Sequence, residues 1–255
     1  MAPVRLATAA MGTRFELVLT DGNPDHLRAA GEAALERIEE LHRTLSRFEP
    51  ASLLAHLRRV APRPVPIGAD LLGLLTAADV VRQASGGAFD IGAGSDGLAV
   101  DPVTASATLV DPDRSLDLGA IAKGFALDQA AAVLRDAGVE RGFLHGGTSS
   151  AVAIGADWRV ALDGAAAPIT LSDSALGVSA AWTVRAGQRV PHVVDPRTGQ
   201  TVTASRRVAV VGPNAMLADA WSTALLVLGA RPAALGAEWR VWIEDAENPW
   251  QEIAP

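Results

Sequence analysis

Lys123 is the one lysine among 22 basic residues, the other 21 being arginine. A compact ammonium on a flexible stem does work that a planar guanidinium cannot. It sits in Asp117-Leu-Gly-Ala-Ile-Ala-Lys-Gly124, with Asp117 on one side and Asp128 on the other. A glycine-bearing turn that opens a helix presents N–H groups and the positive dipole end to a phosphate. The G-x-x-x-x-G-K-[ST] spacing of a P-loop is missing, so the pattern is a phosphate site of another kind or a plain helix start.

Three further clusters carry reactive residue types. In Leu217-Ala-Asp-Ala-Trp-Ser-Thr-Ala-Leu225, Asp219 and Thr223 are four apart and share one helix face. A carboxylate, a hydroxyl and a main-chain carbonyl make a hard-oxygen site for Mg²⁺. The same spacing also fits a Thr bonded back to its own helix and an Asp facing solvent. In Pro191-His-Val-Val-Asp-Pro-Arg-Thr-Gly199, His192 stands at a strand end, a proton acceptor near neutral pH or a structural residue. Gly86-Gly-Ala-Phe-Asp90 reads as a helix stop followed by a strand, or as a glycine turn that brings Asp90 to a ligand. Of the other histidines, His26, His42 and His56 read as surface residues, and His145 has no identifiable partner.

The elements that must hold these clusters follow from periodicity. Residues 13–20 alternate as a strand, and Leu27, Ala30, Ala34, Ile38, Leu41 and Leu45 then recur at helical spacing after Pro24. A second helix is predicted from about residue 70 to 83, ending at Gly86 and Gly87. Residues 91–113 read mostly as loop with room for a short hairpin. A helix is predicted to start near Gly119 and to run through Leu134 to Gly138. Residues 143–211 alternate apolar runs with turn residues, the pattern of several antiparallel strands, and a last helix spans 214–228 before Gly229. The expectation is one α+β unit over residues 1–255, with helices covering antiparallel sheets.

Composition narrows the classes. A length of 255 residues, 49% hydrophobic and 20% charged, suits an ordinary globular chain with ample core. A net charge of −7 without a basic stripe argues against nucleic-acid binding. With no Cys and no Tyr, disulfides, thiolate chemistry and phenolic acid–base chemistry are excluded. No run approaches membrane-spanning length, and residues 1–10 lack an apolar leader core, so a cytoplasmic location is expected.

Taken in order, the clusters resemble the ApbE family of FAD:protein FMN transferases. The resemblance runs through Met11-Gly-Thr13, Gly87-Ala-Phe-Asp90, Asp117-Leu-Gly-Ala-Ile-Ala-Lys-Gly124 and Gly146-Gly147. It continues in His192-Val-Val-Asp-Pro-Arg-Thr-Gly199 and Ala218-Asp-Ala-Trp-Ser-Thr223, and covers roughly residues 10–229. It implies a T-fold-like α+β architecture and a Mg²⁺-dependent reaction. FAD is split at its pyrophosphate, FMN passes to a Ser or Thr hydroxyl of a target flavoprotein, and AMP leaves. By that resemblance the backbone oxygen of Ala120, Asp219 and Thr223 hold the metal. Asp117 and Lys123 contact FAD. Met11, Phe48, Ala88, Phe89, Asp90 and the Val194 backbone line the rest of the nucleotide site, and His192 accepts the proton of the incoming hydroxyl.

The chain departs from the family pattern on the flavin side. Ile91-Gly-Ala-Gly-Ser-Asp follows Asp90, and only 26 residues separate Asp90 from Asp117, fewer than usual. The family's Ser-Glu-Leu-Ser-x-Leu-Asn reads Ala51-Ser-Leu-Leu-Ala-His-Leu-Arg58. Thr148 replaces an acidic or amide residue, and Val178-Ser-Ala-Ala181 replaces Thr-Ser-Gly. These departures leave open a Mg²⁺–FAD-binding module without transfer, a pyrophosphatase giving FMN and AMP, and a descendant binding no flavin.

Overall fold

The computed structural model describes residues 2–92, 94, 97–111, 113 and 116–255. Positions 93, 95, 96 and 112 of the predicted loop over 91–113 therefore lie outside the described residues.

The chain opens with a hairpin, β1 (Val4–Ala10) and β2 (Thr13–Thr20). Its two turn residues, Met11 and Gly12, both take positive φ (49° and 71°). That geometry matches the right-handed twist of paired strands. Phe15, Leu17 and Leu19 alternate into the core as the period of two requires. Asn23 then accepts the N–H groups of Asp25 and His26 and starts α1 (Pro24–Leu45), whose predicted apolar stripe is buried.

A small unit follows: α2 (Leu53–Val60), β3 (Val65–Pro66), α3 (Ala69–Ala84), and the hairpin of β4 (Leu98–Asp101) with β5 (Ser106–Leu109). The predicted short hairpin and second helix are both present. α4 (Ala122–Asp136) begins three residues later than the sequence pattern suggests. The Asp117 side chain accepts the Gly119 N–H at 2.9 Å, which holds that stretch in a turn and out of the helix.

The second half supplies β6 (Arg141–Gly146), β7 (Ser150–Ile154), the β8 (Trp158–Val160) and β9 (Ile169–Leu171) pair, and β10 (Ala175–Ala180). A ribbon of β11 (Trp182–Arg185) and β12 (Gln188–Pro191) leads through the His192 loop to β13 (Arg207–Gly212). Then come α5 (Ala215–Leu228), β14 (Arg240–Glu244) and β15 (Gln251–Ile253).

Among the described residues the main sheet has eight strands in the order β1-β2-β6-β7-β10-β13-β14-β15. Its pairings are antiparallel throughout. Helices α1, α4 and α5 cover one face and share its large core. On the other face Phe143, Trp158, Ile169, Leu171 and Trp242 pack into a smaller cluster beneath the β8–β9 pair. The architecture is α+β, as expected. No helix among the described residues is long and apolar enough to cross a membrane.

α5 lies in a groove that only glycine permits. A Cβ on Gly124 of α4 would overlap the Ala215 carbonyl, and one on Gly177 of β10 would overlap the Ala218 backbone. The obstacles are main chain and cannot rotate aside. Gly177→Ala is expected to lower unfolding free energy by about 1–3 kcal/mol or more in chemical denaturation. Gly73→Ala, at an exposed position of α3 where a Cβ would meet nothing within 4 Å, is the control. It is expected to gain up to about 1 kcal/mol.

Candidate functional site

Asp219 is 5% exposed on the second turn of α5. Its carboxylate accepts the Gly124 N–H at 2.8 Å and the Ser150 hydroxyl at 2.8 Å to each oxygen. Burial pushes its carboxyl up to about 7, although the Lys123 charge and both hydrogen bonds favour the ionised form. The solvent-facing alternative for Asp219 is therefore wrong. The helix packs against β10, and its second turn is turned inward by the apolar residues around it.

Thr223 does bond back to its helix, its hydroxyl donating to the Asp219 carbonyl at 3.2 Å. It is also tied to the sheet. Ser179 Oγ lies 3.1 Å from Thr223 Oγ1 and 2.7 Å from the buried Ser222 hydroxyl. Ser150 thus meets the one buried carboxylate of α5, while Ser222 and Thr223 bond the Asp219 main-chain carbonyl and Ser179 bonds both of them. Among the described residues no group of three or more His, Cys, Asp and Glu is placed to hold a metal.

The Lys123 turn meets this region directly, because Gly124 supplies the N–H that holds Asp219. Lys123 is half-buried and donates to the Gly119 carbonyl at 3.1 Å, one turn back. Asp117, which caps Gly119, is ion-paired with Arg47. The Arg47 guanidinium stands 4.8 Å from the ring centre of Phe48, and Phe48 is 80% exposed. The Asp117 N–H donates to the Ile91 carbonyl at 2.7 Å, drawing the Asp90 loop alongside. Residues far apart in sequence, 47–48, 90–91, 117–124 and 219, thus form one connected chain of contacts.

The remaining clusters meet each other. Gly86 and Gly87 end α3 with positive φ (59° and 80°), and a Cβ on Gly87 would touch the Arg197 side chain at 3.4 Å. Arg197 pairs with Asp195 through two hydrogen bonds of 2.9 and 2.7 Å. A bridge between Val194 and Thr201 shapes residues 192–202 into a small hairpin anchored by Val193. His192 is exposed where β12 ends, its N–H donating to the Ala181 carbonyl at 3.2 Å.

Of the predicted lining residues, Met11, Phe48, Asp90 and Val194 offer surface, whereas Ala88 and Phe89 are each 1% exposed. Asp90 accepts the N–H groups of Gly92 and Gly94, shaping its own loop. His145 does have a partner: its Nε2 lies 3.2 Å from a Glu16 oxygen on the neighbouring strand β2. His42 accepts the Met11 N–H at 3.2 Å and so supports that turn, which a surface assignment does not anticipate. Sequence reasoning also missed Ser150, three residues after the Gly146-Gly147 pair. The small-residue run Thr148-Ser-Ser150 was its only signal.

The ApbE family model matches residues 11–96 and 93–247. A protein of Klebsiella pneumoniae named FAD:protein FMN transferase is 32% identical over 137 residues, 48% of this chain and 39% of that protein. The chain thus aligns with well under half the length of this relative. One of the same name from Haemophilus influenzae is 25% identical over 92% of this chain and 83% of its own length. The crystal structure of the ApbE protein of Thermotoga maritima superposes with a TM-score of 0.84 at 21% identity, covering 98% of this chain and 96% of that one. That likeness is one of fold.

The raised carboxyls have a measurable consequence. Asp219, at about 7, and Asp128, at about 6, both titrate above the ordinary carboxylate value. The folded protein therefore binds more protons than the unfolded chain between about pH 4 and 7. Their stabilising contribution is full below about pH 4 and is lost as pH rises through 6 and 7. In a chelating buffer the unfolding free energy is expected to fall by on the order of 2–4 kcal/mol from pH 5 to pH 8. Asp219→Asn should remove most of that slope in thermal or urea unfolding.

Proposed function

The chain belongs to the ApbE family, and on that premise we propose that it is a Mg²⁺-dependent FAD:protein FMN transferase. FMN would pass from FAD to a Ser or Thr hydroxyl of a target flavoprotein, and AMP would leave. The observation that carries this reading is the hydrogen bond from Gly124 to Asp219. It joins the one lysine-bearing glycine turn to the one buried carboxylate of α5.

The donor chemistry fits Mg²⁺. Asp219 is a carboxylate in a site too dry to ionise it easily, and the Ser150 hydroxyl oxygen lies 2.8 Å from it. One charged protein ligand suits an ion that keeps waters and substrate phosphates as its other ligands. Asp219, Thr223 and the Ala120 carbonyl would hold it, and when bound it would neutralise charge on the pyrophosphate.

The chain's own residues divide the remaining work. Lys123 can exchange the Gly119 carbonyl for a phosphate oxygen by rotating its stem. Asp117 and its partner Arg47 border the nucleotide, and Phe48 offers an aromatic face on which a flat heterocycle can stack. Met11, Asp90 and the Val194 backbone complete the lining, while Ala88 and Phe89, expected there from the resemblance, are buried just before Asp90. His192, exposed on its hairpin, accepts the proton as the target oxygen bonds to the FMN phosphorus and the bond to AMP breaks. Positioning and charge do most of the work in phosphoryl transfer.

The test is incubation with FAD, Mg²⁺ and a flavoprotein bearing the acceptor hydroxyl, read by mass spectrometry. Covalent FMN on the target with one AMP per transfer is expected. AMP and FMN formed without an acceptor would make the protein a pyrophosphatase, and FAD bound but never split would make it a binding module. Asp219→Ala should abolish the response to Mg²⁺. Lys123→Arg should lower kcat/KM by about a hundredfold, since a planar fork does not replace a point charge in this turn.

A further inference from the structure

Two helices of the site hold each other in two places, in opposite senses. Gly124 of α4 donates its N–H to the Asp219 carboxylate of α5 at 2.8 Å. One turn further along α4, the Asp128 carboxylate accepts the N–H groups of Ala215 and Met216, both at 2.8 Å, from the first turn of α5. Ala215 is itself one turn before Asp219. Each helix thus gives N–H groups and a carboxylate, and the four positions 124, 128, 215 and 219 close a ring.

A helix start leaves its first N–H groups without intrahelical partners. In α5 the local cap, Asn214, satisfies only the Leu217 N–H, at 2.9 Å. The two N–H groups ahead of it are left to a residue 87 and 88 positions away in sequence. From the middle of α4, Asp128 therefore caps the start of α5 and is placed to set how far α5 slides along α4. The same displacement fixes where Asp219 stands relative to the turn of Gly119, Ala120 and Lys123.

We propose that Asp128 is a positioning residue, holding α5 so that Asp219 meets Gly124 and faces the Lys123 turn. Its effect on Mg²⁺ and FAD rests on the transferase reading, whereas the clasp rests on the hydrogen bonds alone.

The experiment compares Asp128→Asn, Asp128→Ala and Asn214→Ala in the full chain. Asn214→Ala weakens the same helix end without touching the contact between helices. Three quantities are read: amide exchange at Gly124, the Kd for Mg²⁺ by titration, and kcat against KM for FAD. Both Asp128 variants are expected to speed Gly124 exchange at least tenfold and to raise the Mg²⁺ Kd about tenfold, the scale seen when partners of ligating groups are removed. kcat/KM should fall in the same proportion. Asn214→Ala should lower stability and leave Gly124 exchange and Mg²⁺ affinity near the parent.

If Asp128→Ala does not fold, Asp128→Asn alone decides. Parent-like Gly124 exchange in Asp128→Asn overturns the proposal, as does Asn214→Ala reproducing both losses. If the parent neither binds Mg²⁺ nor splits FAD, the transferase reading falls, and Gly124 exchange still decides the clasp.

Discussion

The contact between α4 and α5 is the constraint on which the rest of the site depends. It can exist only because Gly124 has no side chain, since a Cβ there would collide with the main chain of α5. That close approach brings the Gly124 N–H within 2.8 Å of Asp219. Gly177 permits the matching approach from the sheet, so α5 is fitted closely between a helix and a strand. The helix face that results is forced inward. Asp219 is buried because of where the backbone sits, against the preference of its own side chain.

A buried carboxylate is costly unless its oxygens are satisfied. Here both oxygens are bonded, yet burial still outweighs the hydrogen bonds and the Lys123 charge, leaving the acid easy to protonate near neutrality. Such an arrangement lowers stability at the pH where most proteins are most stable. A bound cation would neutralise that charge and offset the cost, as the proposed transferase reading requires. Asp128 repeats the pattern one turn away at smaller scale, raised by burial and held down by two N–H groups.

The parts of the site that could be read from the sequence are those that depend on local period. Asp219 and Thr223 share a face because they are four apart on a helix, and Lys123 stands out by composition. The strand β2 and helices α1, α3 and α5 follow from clear apolar spacing. Other parts escaped for physical reasons. β1 carries three alanines and one threonine in place of a strong alternation, and α2 is only eight residues long. The start of α4 is displaced by a side chain, Asp117, that competes for a backbone N–H. The roles of Ser150 and Asp128 depend on partners 69 and at least 87 residues away. No local pattern carries that information, and only the packed fold supplies it.

The burial of these groups also sorts the site into two kinds of material. Asp219, Ser150, Ser222 and the Gly124 backbone are enclosed by the core and held by short hydrogen bonds. Phe48, Arg47, His192, Val194 and Arg197 stand on exposed segments, where the Arg47–Asp117 and Arg197–Asp195 ion pairs are weak in water. A change in the first group disturbs the packing of α4, α5 and the sheet together, so it costs stability as well as chemistry. A change in the second group costs the fold little. Of the departures from the family pattern, the segment 51–58 falls beside this second group, next to Arg47, whereas Thr148 and Val178-Ser-Ala-Ala181 adjoin or contain Ser150 and Ser179 of the first. The core thus tolerates change in the enclosed half only where a small side chain still fits, as Ser179 does against Thr223, while the exposed half accepts wider change.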